Sequence, residues 1–265
     1  MTVALTAACS EDLKTAIKRL KVAFPRAGTG LDQDEEWVVV HHEDEWQKIR
    51  LHDYDDLFAV PGLYEKWVYD VLKCRSPQQV RGLLMTCLEQ ADEAPDSLCV
   101  LDLGAGNGYV AGVLAEAGVK RFVGVDINPN AAIAAERDRP GLYDEFVIDD
   151  LTDLSKENTS ILDRHNFNCL TCVAALGFGD IPPEVFVEAF NLIDNGGWIN
   201  FTIKSDFLDD NQSGFSSLIR RMLDSGILEL ASRKTYEHRR SSDGHALMYD
   251  AFVGRKRCGF PVVVQ

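Results

Sequence analysis

Three glycines at alternate positions, Gly104, Gly106 and Gly108, follow the apolar run Val100-Leu-Asp-Leu103. Glycines so spaced allow left-handed backbone angles and close approach to a ligand, and a helix beginning there offers unpaired amides. The chemistry this suits is the holding of a nucleotide-like molecule. Asp126 ends the apolar run Arg121-Phe-Val-Gly-Val at the interval expected of a carboxylate that grips ribose hydroxyls. Asp150 ends a third run, Glu145-Phe-Val-Ile-Asp149, where an acid can accept a hydrogen bond from the exocyclic amine of adenine. A dinucleotide fingerprint needs Gly or Ala at position 109, and Tyr109 stands there, so the reading turns away from NAD. A glycine-rich turn alone is often only a tight connection. The ordered series of strand-end acids, at the edge where open α/β sheets bind ligands, is what favours an adenosyl group. Asp149 and Asp153 read as solvated or capping acids.

The elements that must position these groups alternate. Ser76-Pro77 starts a helix whose Val80, Leu83, Leu84, Cys87 and Leu88 form an apolar stripe. Strands are expected at 100–103, 121–126, 145–151, 168–174 and 198–205, with helices over 182–193 and 214–225. The turn-rich Arg239-Arg-Ser-Ser-Asp-Gly-His245 separates two final strands, 227–238 and 246–255, as an antiparallel hairpin. Upstream, Leu13, Ile17, Leu20 and Phe24 recur at helical spacing up to Pro25, behind Ser10 as cap. Residues 26–36 read as a loop and 37–41 as a short strand, and residues 52–72 are dense in aromatics around Pro61-Gly62.

Together DLGAGNG (102–108), GVDINPNA (124–131), DLTDL (150–154) and NGGWINFTI (195–203) resemble the class I S-adenosylmethionine-dependent methyltransferases, over about residues 77–254. The resemblance implies an α/β fold: a Rossmann-like, doubly wound, seven-stranded, mostly parallel sheet with a C-terminal antiparallel hairpin and an N-terminal helical lid. Residues 1–75 would be the lid and 76–265 the methyltransferase domain. S-adenosyl-L-methionine would be held by Asp102, Gly104, Ala105, Gly106, Asn107, Gly108, Asp126, Ile127, Asn128, Asp150, Leu151 and Val173. Tyr54 and Tyr64 in the lid are candidates to touch the sulfonium or the acceptor, although any single aromatic there serves equally well as packing.

Methyl transfer from a sulfonium is an in-line displacement, so no single catalytic motif is obligatory. Enzymes of this family that methylate nucleobase amino groups carry an acid or Asn followed directly by Pro-Pro and an aromatic. Asp180-Ile-Pro-Pro-Glu184 departs from that pattern at Ile181 and Glu184, and Pro182-Pro183 reads as a helix start. Phe178, between Gly177 and Gly179, looks like a pocket wall for a small molecule. For a general base, His238 and His52 are the candidates, His238 being placed at the tip of the hairpin. Arg239 and Arg240 could hold a carboxylate or phosphate of an acceptor. A solvated hairpin tip is the competing reading. The function expected is methyl transfer to an O or N atom of a small metabolite. A protein or tRNA methyltransferase, a silent cofactor-binding module and an NAD-dependent oxidoreductase stay open as alternatives.

Composition bounds these readings. A chain of 265 residues with 46% hydrophobic content supports one moderate domain and an appendage. A formal charge of −15 opposes a nucleic-acid partner. The seven cysteines fit reduced thiols. Cys169 and Cys172, three apart on a strand, face opposite ways, and neither they nor the adjacent His41 and His42 make a metal site. No run of about 18 apolar residues suggests a membrane span, and a cytoplasmic protein is expected.

Overall fold

The apolar runs form one seven-stranded sheet. The computed structural model describes residues 11–25, 35–177, 180–209 and 214–261. The strands are β4 (Cys99–Leu103), β5 (Arg121–Asp126), β6 (Glu145–Ile148), β7 (Cys169–Leu176), β8 (Trp198–Lys204), β9 (Leu228–Arg240) and β10 (Ala246–Lys256). Their spatial order is β6-β5-β4-β7-β8-β10-β9, parallel from β6 through β8 and antiparallel at β10 and β9. The chain order reverses at β4 and β7, and the glycine loop leaves the sheet at that point, where open α/β sheets bind ligands.

Each strand alternates between two buried faces. Leu101, Leu103, Val123, Val125 and Phe201 meet Phe186 and Phe190 of α7 (Pro183–Leu192) and Phe215 of α9 (Phe215–Asp224) on one side. Val100, Phe122, Trp198 and Val253 meet Leu84 and Leu88 of α3 (Ser76–Gln90) and Leu114 of α4 (Tyr109–Ala115) on the other. Each buried Leu, Val or Phe contributes about 1.5–3 kcal/mol relative to an exposed one. Cys169 lies in the second layer and Cys172 in the first, as strand alternation requires. Pro182 caps α7 and Pro183 opens it.

The amino-terminal part differs from a purely helical lid. Helix α1 spans Glu11–Arg19 and stops short of the expected Phe24. Lys21–Ala23 instead forms β1, which pairs antiparallel with β2 (Trp37–His42), itself paired with β3 (Glu45–Arg50). The reason is legible in hindsight: Leu20, Val22 and Phe24 repeat with period two and pack on one buried cluster. Helix α2 (Tyr54–Ala59) follows, then a π-helical turn over Glu65–Val71. Ser10 and most of the expected loop, 26–34, lie outside the described residues. No helix among the described residues is long and apolar enough to cross a membrane.

The final hairpin also differs from expectation. β9 continues to Arg240, so His238 and Arg239 sit within the strand and the tip falls at 241–245, where the Ser241 amide donates to the His245 carbonyl. The cause is tertiary. The Arg75 amide donates to the His238 carbonyl and the Arg240 amide to the Leu72 carbonyl, so residues 72–75 extend the ladder and cover it.

Candidate active site

At the carboxyl end of β4, Gly104 (φ +67°) and Gly106 (φ +52°) take left-handed angles. A Cβ on Gly106 would stand 3.2 Å from the Phe58 ring, and one on Gly104 would stand 2.9 Å from Ile181 Cδ1. The loop is therefore a close-fitting cradle. Asp126 fixes its shape: Oδ2 accepts from the Gly106 amide and Oδ1 from the Asn128 amide, each at 2.9 Å. Burial pushes the Asp126 carboxyl up, and the amides pull it back down. Each oxygen keeps a lone pair for a ligand hydroxyl.

A cavity of about 730 Å³ opens beside this cradle. Asp126, Ile127, Asn128, Asp150 and Leu151 line one side, with Val173, Asp180 and Ile181 on the other. The Asn128 side chain also caps α5 (Pro129–Asp138) through the Asn130 amide, 2.8 Å away. Asp150 Oδ1 accepts from the Thr152 amide and hydroxyl at 2.8 and 2.7 Å. Asp149 lines the cavity too, and the Ser155 amide and Asn158 side chain hold its carboxyl below the usual range.

Asp102, expected among the ligand-binding residues, lines neither of the two cavities at this edge of the sheet. Strand alternation turns it into the protein, where Thr171 Oγ1 and Tyr143 OH donate to its two oxygens at 2.7 Å each. Burial raises its carboxyl to about 6. Asn107 lines the smaller of the two cavities, but its side chain donates to Glu65 Oε1 at 2.5 Å, while its carbonyl accepts from Arg139 Nη1 at 2.9 Å. Arg139 and Glu65, both fully buried, pair at 3.0 Å. Burial pushes the Glu65 carboxyl up, against the pull of Arg139. This network fastens the π-helical turn to the glycine loop.

Tyr109 has a second job that sequence spacing does not show. Its ring stacks on Tyr69 with centroids 3.6 Å apart, and Arg139 lies over it at 5.0 Å. The aromatic chain continues from Tyr69 through Tyr64 and Phe58 to Tyr54, forming a wall over the cradle. Tyr54 and Tyr64 both line the cavity.

Behind Tyr64 a recess of about 80 Å³ shares Gly104, Gly106, Val173 and Asp180 with the larger cavity. Val173 reaches both because β7 is bulged between Cys172 and Leu176, with Ala174 at φ +57° and its amide held by Thr202 Oγ1 at 2.8 Å. His238 lines the recess. Its Nδ1 lies 2.6 Å from Ser76 Oγ, which is 2.5 Å from Tyr236 OH, and its ring stacks on Tyr249. Burial, aided by the Arg239 charge, pushes His238 down to about 3. It is a neutral imidazole and a weak proton acceptor.

Arg239 also lines the recess, but its Nη2 lies 2.7 Å from Glu36 Oε2 and both side chains are buried. Arg240 pairs with Glu237 at 3.3 Å and lines neither cavity. The exposed pair of positive forks expected at a hairpin tip does not exist. His52, by contrast, stands where both cavities meet, its Nδ1 3.6 Å from Asp180 Oδ2. Phe178 lies outside the described residues. Sequence reasoning gave no ligand-site role to Phe58, Glu65, Ser76, Asp180 or Arg139. Nothing in their spacing marks them, because each acts across more than a hundred residues or through the lid.

Residues 100–197 match a family model described as a methyltransferase domain. No curated protein matches the sequence. Among solved structures, a provisionally assigned RNA methyltransferase from Pyrococcus horikoshii is similar over 93% of this chain and 95% of its own, with 13% identity and a TM-score of 0.50. The N-methyltransferase NodS from Bradyrhizobium japonicum, in complex with S-adenosyl-L-homocysteine, is similar over 72% of this chain and 92% of its own, with 15% identity and a TM-score of 0.49. Magnesium protoporphyrin IX methyltransferase from Synechocystis, also with that ligand, covers 76% of this chain and 97% of its own, with 16% identity and a TM-score of 0.49. Residues 100–197, from β4 to the start of β8, therefore carry a methyltransferase domain.

Proposed function

We propose that this enzyme transfers the methyl group to an O or N atom of a small molecule held under the amino-terminal aromatic wall. The observation that carries the reading is the cavity of about 730 Å³ beside the glycine cradle, with Tyr54, Phe58 and Tyr64 of the amino-terminal segment in its lining. A formal charge of −15 further disfavours a nucleic-acid acceptor.

The residues present fit the methyl donor. Asp126 would accept the ribose hydroxyls, Asp150 the adenine amine, and the cradle at Gly104 and Gly106 leaves room where side chains would collide. Bound there, S-adenosylmethionine supplies an electrophilic methyl on a sulfonium. Asp180 and His52, at the junction of the cavities, are placed to orient an incoming acceptor and take its proton, and His238 would position it as a neutral group. The wall excludes water and aligns the acceptor for in-line displacement. Residues 1–75 would act as the lid and 76–265 as the methyltransferase domain, the two held together by Glu65, Arg139 and Asn107.

Calorimetry with S-adenosylmethionine, its demethylated product and NAD, followed by metabolite screening for S-adenosylhomocysteine release, tests the reading. Binding of the first two, no binding of NAD and turnover with a metabolite are expected. Turnover only with tRNA or protein fractions would refute a small-molecule acceptor.

A further inference from the structure

We propose that the acceptor is an amine that enters as an ammonium cation and is held between the Asp180 carboxylate and the ring faces of Tyr54 and Tyr64. The inference rests on the small-molecule reading above and names the class of that molecule.

Charge inside the cavity is one-sided. Beyond the acids assigned to the adenosine, its lining carries Asp53, Asp55, Asp56, Asp149 and Asp180, and no Lys or Arg among the described residues. Not all of these are equally available. Asp53 is engaged by Arg50 at 3.0 Å, and Asp55 lies 3.5 Å from Asn130 Nδ2. Asp180 faces inward against His52, and its side chain is 29% exposed.

The cations that could welcome an anion are already committed. Arg239 is the one arginine lining the recess among the described residues, and buried Glu36 faces it at 2.7 Å. A carboxylate or phosphate would lose water and meet like charge, whereas an ammonium loses water and gains opposite charge. Tyr54 and Tyr64 line both cavities, and aromatic rings attract cations and suit an organic substituent.

The chemistry closes on these residues. An ammonium R–NH3+ gives one proton to the His52 imidazole, and the Asp180 carboxylate steadies the resulting cation. The freed lone pair forms the N–C bond as the C–S bond breaks, its electron pair staying on sulfur as a neutral thioether. The product leaves as R–NH2–CH3+, and His52 returns its proton to solvent.

The test uses the full chain saturated with S-adenosylhomocysteine, titrated by NMR with 2-phenylethylamine and with 3-phenylpropionate, which share a ring and differ in charge. The amine should bind at least tenfold more tightly. Asp180→Asn should abolish that preference while leaving the S-adenosylhomocysteine Kd within twofold. Equal or tighter binding of the carboxylate, or an unchanged amine preference in Asp180→Asn, overturns the proposal while leaving the small-molecule reading in place. Binding of neither probe, with methyl transfer to tRNA or protein instead, overturns both. The comparison on the unaltered protein stands even if the variant folds poorly.

Discussion

Replacing Asp126 with Ala tests the placement of the adenosyl group most directly. In the structure the Asp126 carboxylate accepts two backbone amides at 2.9 Å, from Gly106 in the cradle and from Asn128 after β5. Each neutral-to-charged bond to a ribose hydroxyl is worth about 1.5–3 kcal/mol. Loss of one such bond weakens binding by about ten- to hundredfold, since 1.4 kcal/mol is a factor of ten. Loss of the second, together with a loosened Gly106, moves the effect toward the upper end. Calorimetry with S-adenosylhomocysteine reads the affinity, and thermal unfolding separates it from stability. Asp102→Asn is the matched control: this acid is 24 residues upstream on the neighbouring strand and bonds only inward, to Thr171 and Tyr143. It should leave the Kd within about threefold, below 1 kcal/mol. If Asp126→Ala bound S-adenosylhomocysteine as tightly as the parent, the ribose would lie elsewhere and the reasoning would fail.

Asp102 also has a pH signature. Its folded carboxyl, at about 6, lies above the unfolded value, so the folded state binds the extra proton and stability falls as pH rises from about 4 to 6. Denaturant unfolding of Asp102→Asn should lose that fall, and an identical pH profile in the variant and the parent would contradict the burial argument. Truncating Arg139 to Ala leaves Glu65 buried and uncompensated, with an expected loss of about 3–5 kcal/mol by urea titration; a loss below 1 kcal/mol would show that the network is not the fastening. His52→Ala should lower kcat by about 10²- to 10⁴-fold with unchanged S-adenosylhomocysteine affinity, whereas NMR should find His238 neutral down to about pH 3. Hydrogen exchange over residues 52–72 should slow when S-adenosylhomocysteine binds, and equal protection with and without it would remove the lid.

The sequence by itself determined the sheet and its ligand edge. Period-two apolar runs, the glycines at 104, 106 and 108, and the carboxylates ending β5 and following β6 are local signals, each set by neighbours within a few residues, and they mark the sheet edge proposed to hold the adenosyl group. Tertiary structure decided what those signals could not carry. Asp102 and Asp126 are the same residue type on adjacent parallel strands, yet one turns into the core and the other toward the cavity, because Asp102 finds Thr171 and Tyr143 only when β7 and the chain before β6 pack against β4. His238 and Arg239 read as candidate acceptor-handling residues at a hairpin tip until residues 72–75 extend the ladder over them and Glu36, two hundred residues away in the chain, faces the guanidinium. The His52–Asp180 pair joins the end of β3 to the exit of β7, a contact with no sequence period behind it. Local patterning specifies elements and their exposed edge, while long-range packing and desolvation decide which of the polar side chains on that edge remain available for chemistry.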